Sequence, residues 1–171
     1  MRVRPLSAAL LLLGPLLLGL AAAPARAGDL RVVVDGVRAP TGTLLVGVYD
    51  SKESYARALA RAEKDGFQND PERVAGLAFR VRGGSHTTAL IPDLPPGTYG
   101  VIVFQDENGN GRLDKNFWGV PTEPYGFSND ALGTLGPPSF AEVAIALDGA
   151  DRTIEISLVT HRIALGEAKP E

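Results

Sequence analysis

Leu94-Pro95-Pro96-Gly97-Thr98-Tyr99-Gly100-Val101-Ile102-Val103-Phe104 is a turn that runs straight into a strand. Two prolines hold φ at about −65° and a glycine follows where the chain must reverse. Beyond the turn, Tyr99, Val101 and Val103 alternate with Gly100, Ile102 and Phe104. Neither set is polar. A strand with two apolar faces must be covered on both sides, so this is a central strand and the rest of the chain is organised around it.

Upstream, Asp29–Val37 alternates Leu30, Val32 and Val34 with Arg31, Val33 and Asp35, a strand with one apolar face. Ala39-Pro40-Thr41-Gly42 is a turn. Thr43–Tyr49 is a second strand, with Leu44, Val46 and Val48 opposed to Leu45 and Tyr49, and the short link predicts a hairpin with the first. The period then changes. Asp50-x-x-Glu53 resembles a capping box, and Tyr55, Leu59 and Ala62 recur at helical spacing, which predicts a short helix covering the edge or end of a sheet, with Phe67 under its end. Val74–Arg82 is a third strand, and Gly83-Gly84 predicts a two-residue hairpin into a fourth, Ser85–Ile91. Its His86 reads as a surface residue, as does His161 near the C-terminus.

Downstream, Gly136-Pro137-Pro138 is a turn, Phe140–Leu147 alternates as a strand, Asp148–Asp151 turns the chain, and Thr153–Val159 is the last strand. About seven strands at short spacing predict an all-β fold, an antiparallel seven-stranded β-sandwich. It has one short helix after the second strand and a long loop after the Tyr99–Phe104 strand.

The first 27 residues have a different character. Arg2 and Arg4 precede an apolar run from Leu10 to Ala23, and Ala25-Arg26-Ala27 fits a cleavage site. This is the pattern of a secretory signal peptide, too short for a membrane span. The expected organisation is a signal peptide over 1–27, one β-sandwich domain over 28–159 and a polar tail over 160–171. Of 17 basic and 20 acidic side chains, cleavage removes Arg2, Arg4 and Arg26 and no acid, leaving 14 against 20, a net charge of −6. That balance excludes a phosphate-binding basic face and so a nucleic-acid partner. The absence of cysteine excludes thiol catalysis and thiolate metal sites. The expected location is periplasmic or secreted, with no membrane span after cleavage.

The candidate site lies in the long loop. Asp106-x-Asn108-x-Asn110-Gly111-x-x-Asp114 places oxygen side chains at loop positions 1, 3, 5 and 9 and glycine at 6, with the Arg112 carbonyl at 7. Hard oxygen ligands at alternating positions around a glycine turn are what calcium loops use. Position 12, ordinarily a bidentate glutamate, is Phe117, and Glu123 is the nearest downstream carboxylate able to fold back. The expected cofactor is Ca2+, held weakly, at about 10⁻⁴ to 10⁻³ M. The same residues also suit an ion-free Asn/Gly/Asp turn.

The Leu94-Pro95-Pro96-Gly97-Thr98-Tyr99 segment resembles the signature of transthyretin-like and carboxypeptidase-regulatory-like sandwiches. Asp106–Asp114, then Gly119–Asn129, then Gly136–Phe140 are together similar to the secreted bacterial family named domain of unknown function 2141, over about Asp29–Val159. The resemblance implies the fold and the exported compartment, and it implies no activity.

The residues support three readings of function. The first is a binding or accessory module of the cell envelope, with a calcium-stabilised loop and an envelope protein or glycan as partner. Trp118, Tyr125 and Phe127 then either pin the loop to the core or form an exposed aromatic platform, with Glu123 between them. The second is a hydrolase of envelope sugars or peptides working through Glu107, Asp114 and Glu123, or through Ser128 with His86. The third is a sandwich with no ligand. The expected N-terminus of protein isolated from the envelope fraction is Gly28; N-terminal sequencing that finds Leu10–Ala23 still attached overturns the soluble reading.

Overall fold

The computed structural model describes residues 26–160 apart from 39–41, 63, 65, 67–69, 83, 85 and 135. The leader up to residue 25, Phe67, Gly83, His161 and the tail from 161 onward lie outside the described residues.

Eight strands are present, where seven are expected: β1 Gly28–Asp35, β2 Thr43–Tyr49, β3 Ala75–Arg80, β4 His86–Leu94, β5 Gly97–Asp106, β6 Tyr125–Phe127, β7 Ile145–Leu147 and β8 Arg152–Ser157. Helix α1 spans Lys52–Arg61, and a single turn, α2, spans Phe140–Val143. The strands form two sheets. One is ordered β4-β1-β8; the other is ordered β3-β2-β5-β6, with β7 also paired to β5.

The partition follows from how many apolar faces each strand has. β1, β4 and β8 have one, and together they make the three-stranded sheet. Leu30, Val32, Val34, Ala89, Ile91, Ile154 and Ile156 point from it into a core shared with Leu44, Val46, Val48, Val101 and Val103 of the other sheet. β2 and β5 have two apolar faces and lie side by side in register, Leu45 opposite Phe104 and Val46 opposite Val103. Their second face, Leu45, Tyr49, Ile102 and Phe104, forms a separate cluster with Tyr55, Ala58 and Ala62 of α1. The helix therefore covers the broad face of a sheet rather than an edge.

Both expected hairpins are replaced by crossings between sheets. β1 pairs with β4 and β8 and β2 with β3 and β5, so the short link after β1 changes sheet. A one-faced strand and a two-faced strand belong in different layers. The Gly83-Gly84 connection likewise joins β3, on β2, to β4, on β1. The pairing is also not wholly antiparallel, because β1 and β8 run parallel. Short links reverse the chain between β4 and β5 and between β7 and β8, and β5 opposes β7. β8 thus opposes β4, and so runs with β1.

Local chemistry shifts two other elements. Ser51, rather than Asp50, caps α1: its Oγ accepts the Ser54 N–H at 3.3 Å. Phe140–Leu147 is not one strand. Glu142 Oε2 accepts from Ser139 N at 2.6 Å and from Ser139 Oγ at 2.7 Å, which winds Phe140–Val143 into a helical turn before β7. That turn packs on β5 at Gly100, where a Cβ would lie 2.9 Å from Val143 Cγ2. The inward alternation of Val143, Ile145 and Leu147 survives, but Val143 joins the helix-side cluster and the other two join the core between the sheets.

One serine joins these parts. β7 pairs with β5 along Gly97–Tyr99 and β6 along Ile102–Phe104. Between them Val101 donates its N–H to the buried Ser128 Oγ at 3.0 Å, and Ser128 Oγ donates to the Val143 carbonyl at 2.5 Å. Ser128→Ala leaves a buried donor and a buried acceptor unpaired. The expected loss is about 1–3 kcal/mol, read from chemical denaturation; a change below about 0.5 kcal/mol contradicts this role.

Candidate cation loop and exposed aromatic turn

β5 ends at Asp106, 1 % exposed, whose carboxylate organises the loop beyond it. Its Oδ1 accepts from Gly109 N at 2.7 Å and Asn110 N at 3.1 Å, and its Oδ2 from Gly111 N at 2.7 Å. Gly109 and Gly111 both take positive φ, 79° and 77°, the left-handed conformation that lets the chain wrap this side chain. Asn108 and Asn110 each accept a loop N–H two residues on, at 3.0 and 2.8 Å. Their amides donate to the two oxygens of Asp114, at 2.6 Å from Asn108 and 3.0 Å from Asn110. The four side chains expected to act together are thus adjacent. Arg112 has an exposed side chain and gives its N–H to Asn110.

Glu123 reaches the same loop from beyond it. It is 4 % exposed; Oε1 accepts from Glu107 N at 2.8 Å and Oε2 from Asp114 N at 3.0 Å. Burial, with smaller contributions from the charges of Asp114 and Asp106, holds its carboxyl above the ordinary range despite the two amide donors. It binds both ends of the loop, the start at Glu107 and the end at Asp114.

Whether a cation fits depends on oxygens left over. A carboxylate has about four lone-pair sites. Asp106 uses three for N–H groups and Asp114 two for the asparagine amides, so both retain acceptor capacity. Among the described residues no three His, Cys, Asp or Glu side chains are grouped closely enough to hold an ion alone. The donor set must therefore include asparagine oxygens or carbonyls. Hard neutral and anionic oxygens of this kind suit calcium.

The carboxylates do not flank an open groove. Asp106 and Glu123 are buried on backbone N–H groups, and Glu107 pairs with Arg38 at 3.4 Å. A shallow groove of about 300 Å³ lies elsewhere, lined by Phe79, Arg80, Val81, Arg82, Thr87 and Thr88, with no acid. Ser128 has both its hydrogen bonds committed inside the fold, while His86 is exposed on β4 in the other sheet.

The aromatic segment divides. Phe127, 5 % exposed, packs edge-on against Tyr55 at 6.4 Å and against Tyr125 at 6.0 Å, and Tyr125 is half-buried on the same cluster. Both belong to β6, a strand with no periodic signature of its own because its three residues lie inside a loop. Trp118 is 82 % exposed. Phe117, expected at calcium-loop position 12, instead sits beside it, 94 % exposed, with ring centroids 5.4 Å apart and planes at 83°. The pair occupies the tip of a turn whose ends are joined by a bridge between Lys115 and Pro121. Asn116 closes that turn: it exchanges backbone bonds with Val120 and Gly119, at 2.8 and 2.9 Å, and its Oδ1 accepts from Trp118 N and Val120 N at 2.9 and 3.1 Å.

Phe127→Ala is expected to cost about 3–5 kcal/mol, the range for a buried phenylalanine, whereas Trp118→Ala should stay within about 0.5 kcal/mol of wild type. Urea denaturation of the two variants checks the division; equal losses would contradict it.

No curated protein and no solved structure matches the chain. Residues 32–155, covering the strands from β1 to β8, the cation loop and the aromatic turn, match the model of a family described as an uncharacterized protein conserved in bacteria (DUF2141), and the chain belongs to that family.

Proposed function

We propose that this protein is an exported, non-enzymatic binding or accessory module of the bacterial cell envelope, a β-sandwich of transthyretin-like or immunoglobulin-like type whose Asp106–Asp114 loop takes calcium. Its location is periplasmic or secreted, and its partner is an envelope protein or glycan. The signal-peptide pattern of residues 1–27 supports export. Among the described residues no helix is long and apolar enough to cross a membrane. The two sheets sharing one core support the sandwich.

One observation carries the calcium reading. Asp106 already holds three loop N–H groups, and Glu123 already holds the N–H groups at the two ends. The backbone is therefore wrapped before any ion arrives, so binding orders few groups. Ion entry turns the Asn108 and Asn110 oxygens inward and exchanges their N–H bonds to Asp114 for oxygen–cation contacts. Glu123 stands in the position-12 role, while Phe117 is free for another.

A second reading, a ligand-free structural loop, draws on the same bonds, since the two asparagine amides already partner Asp114. Calcium bound only to the folded state raises stability by about 2.7 kcal/mol at roughly 100 times Kd. That should lift the melting temperature by several degrees, with little effect from magnesium. Asp114→Ala should abolish the shift and leave the Asp106 and Glu123 bonds to the loop in place. Equal melting temperatures of wild-type protein in EDTA and in millimolar calcium would establish the ligand-free loop instead.

A further inference from the structure

We propose that the Phe117–Trp118 turn is an insertion tip that seats the protein on the interface of an anionic phospholipid bilayer. The inference is independent of calcium and rests on the turn itself. Two large apolar rings stand in water, 94 % and 82 % exposed, adjacent in the chain and in contact only with each other among the ring pairs of the described residues. Their display is not slack. Asn116 closes the turn with four hydrogen bonds. Thr122 ties its base to the Asp114 carbonyl through N, at 2.9 Å, and through Oγ1, at 3.2 Å. Loop entropy is therefore already spent, and burying the rings in an apolar medium is a net gain.

Shape and charge choose the medium. The tip is convex, so its partner must yield or be hollow, and a bilayer yields. The rings stand at 83°, which leaves no coplanar platform on which a sugar ring could stack across both. Tryptophan has an apolar body and an N–H donor, the combination that settles at the headgroup boundary. The turn from Lys115 to Thr122 contains one lysine and no acid, in a chain with 20 acids and 17 bases. Arg112 is exposed just before it, and the nearest acid, Asp114, has both oxygens bonded to asparagine amides. The end of the molecule that presents the rings thus has the sign an anionic leaflet attracts.

Trp118 is the only tryptophan, so its emission reports this turn alone. The protein in the form that cells export is titrated, in EDTA, with vesicles of phosphatidylcholine and of phosphatidylcholine mixed with phosphatidylglycerol. The expected result with the anionic vesicles is a blue shift and quenching by brominated acyl chains. Phe117→Ser should weaken partition by about tenfold or more without changing the melting temperature. No shift at millimolar lipid overturns the proposal. So does partition unaffected by Phe117→Ser, which would place the anchor elsewhere in the chain. A blue shift that grows with protein concentration without lipid overturns it in favour of self-association. Equal partition onto both vesicle types overturns the anionic assignment.

Discussion

The ladder between β2 and β5 is the constraint on which the rest of the molecule depends. Seven residue pairs in register, from Thr43–Asp106 to Tyr49–Gly100, join the two strands that are apolar on both faces. A sheet built on that pair cannot face water on either side. One side is covered by the three-stranded sheet and the other by α1, α2 and the aromatic rings of Tyr55 and Phe127. The ladder also fixes where the loop begins, because β5 ends on the residue that pairs with the first residue of β2. Asp106 is therefore buried by the sheet, and its carboxylate must find donors. It takes them from its own loop.

That requirement explains the economy of the candidate site. An isolated buried carboxylate is too costly to keep ionised in a domain of this size. Asp106 and Glu123 are each held by backbone N–H groups instead, and those bonds shape the loop as they satisfy the acids. Glu123 does this across a segment that projects the Phe117–Trp118 turn outward. Burying β6 and exposing the turn are thus two consequences of one arrangement. The chain leaves the sheet at Asp106, forms the loop and the turn, and returns to β5 through Tyr125, Gly126 and Phe127.

The seam beside β5 follows the same logic. Two short strands share its length and leave Val101 between them, and Ser128 supplies the missing acceptor. Asn129 and Asp130 adopt positive φ immediately after it, 64° and 48°. Their side chains offset that strain by bonding to other parts of the fold: Asn129 donates to the Glu142 and Ala144 carbonyls, and Asp130 accepts from Ser157 N. A serine that looks like a nucleophile in sequence is here a plug in a sheet.

The sequence by itself determined what repeats over two residues or is settled within one turn. The alternation of Leu30, Val32 and Val34, the two-sided pattern of Tyr99–Phe104, the prolines before β5 and the Asp106–Asp114 loop chemistry are local properties, readable from neighbours along the chain. The partition of strands between sheets, the parallel β1–β8 pair and the three-residue β6 were decided by tertiary structure. Pairing depends on which apolar faces remain uncovered once other strands have met, and no window of sequence contains that. The same reason separates the aromatics. Tyr125 and Phe127 return to the core because they pair with β5, while Phe117 and Trp118, a few residues earlier and no less apolar, lie at a turn closed by Asn116 and have nothing to pack against.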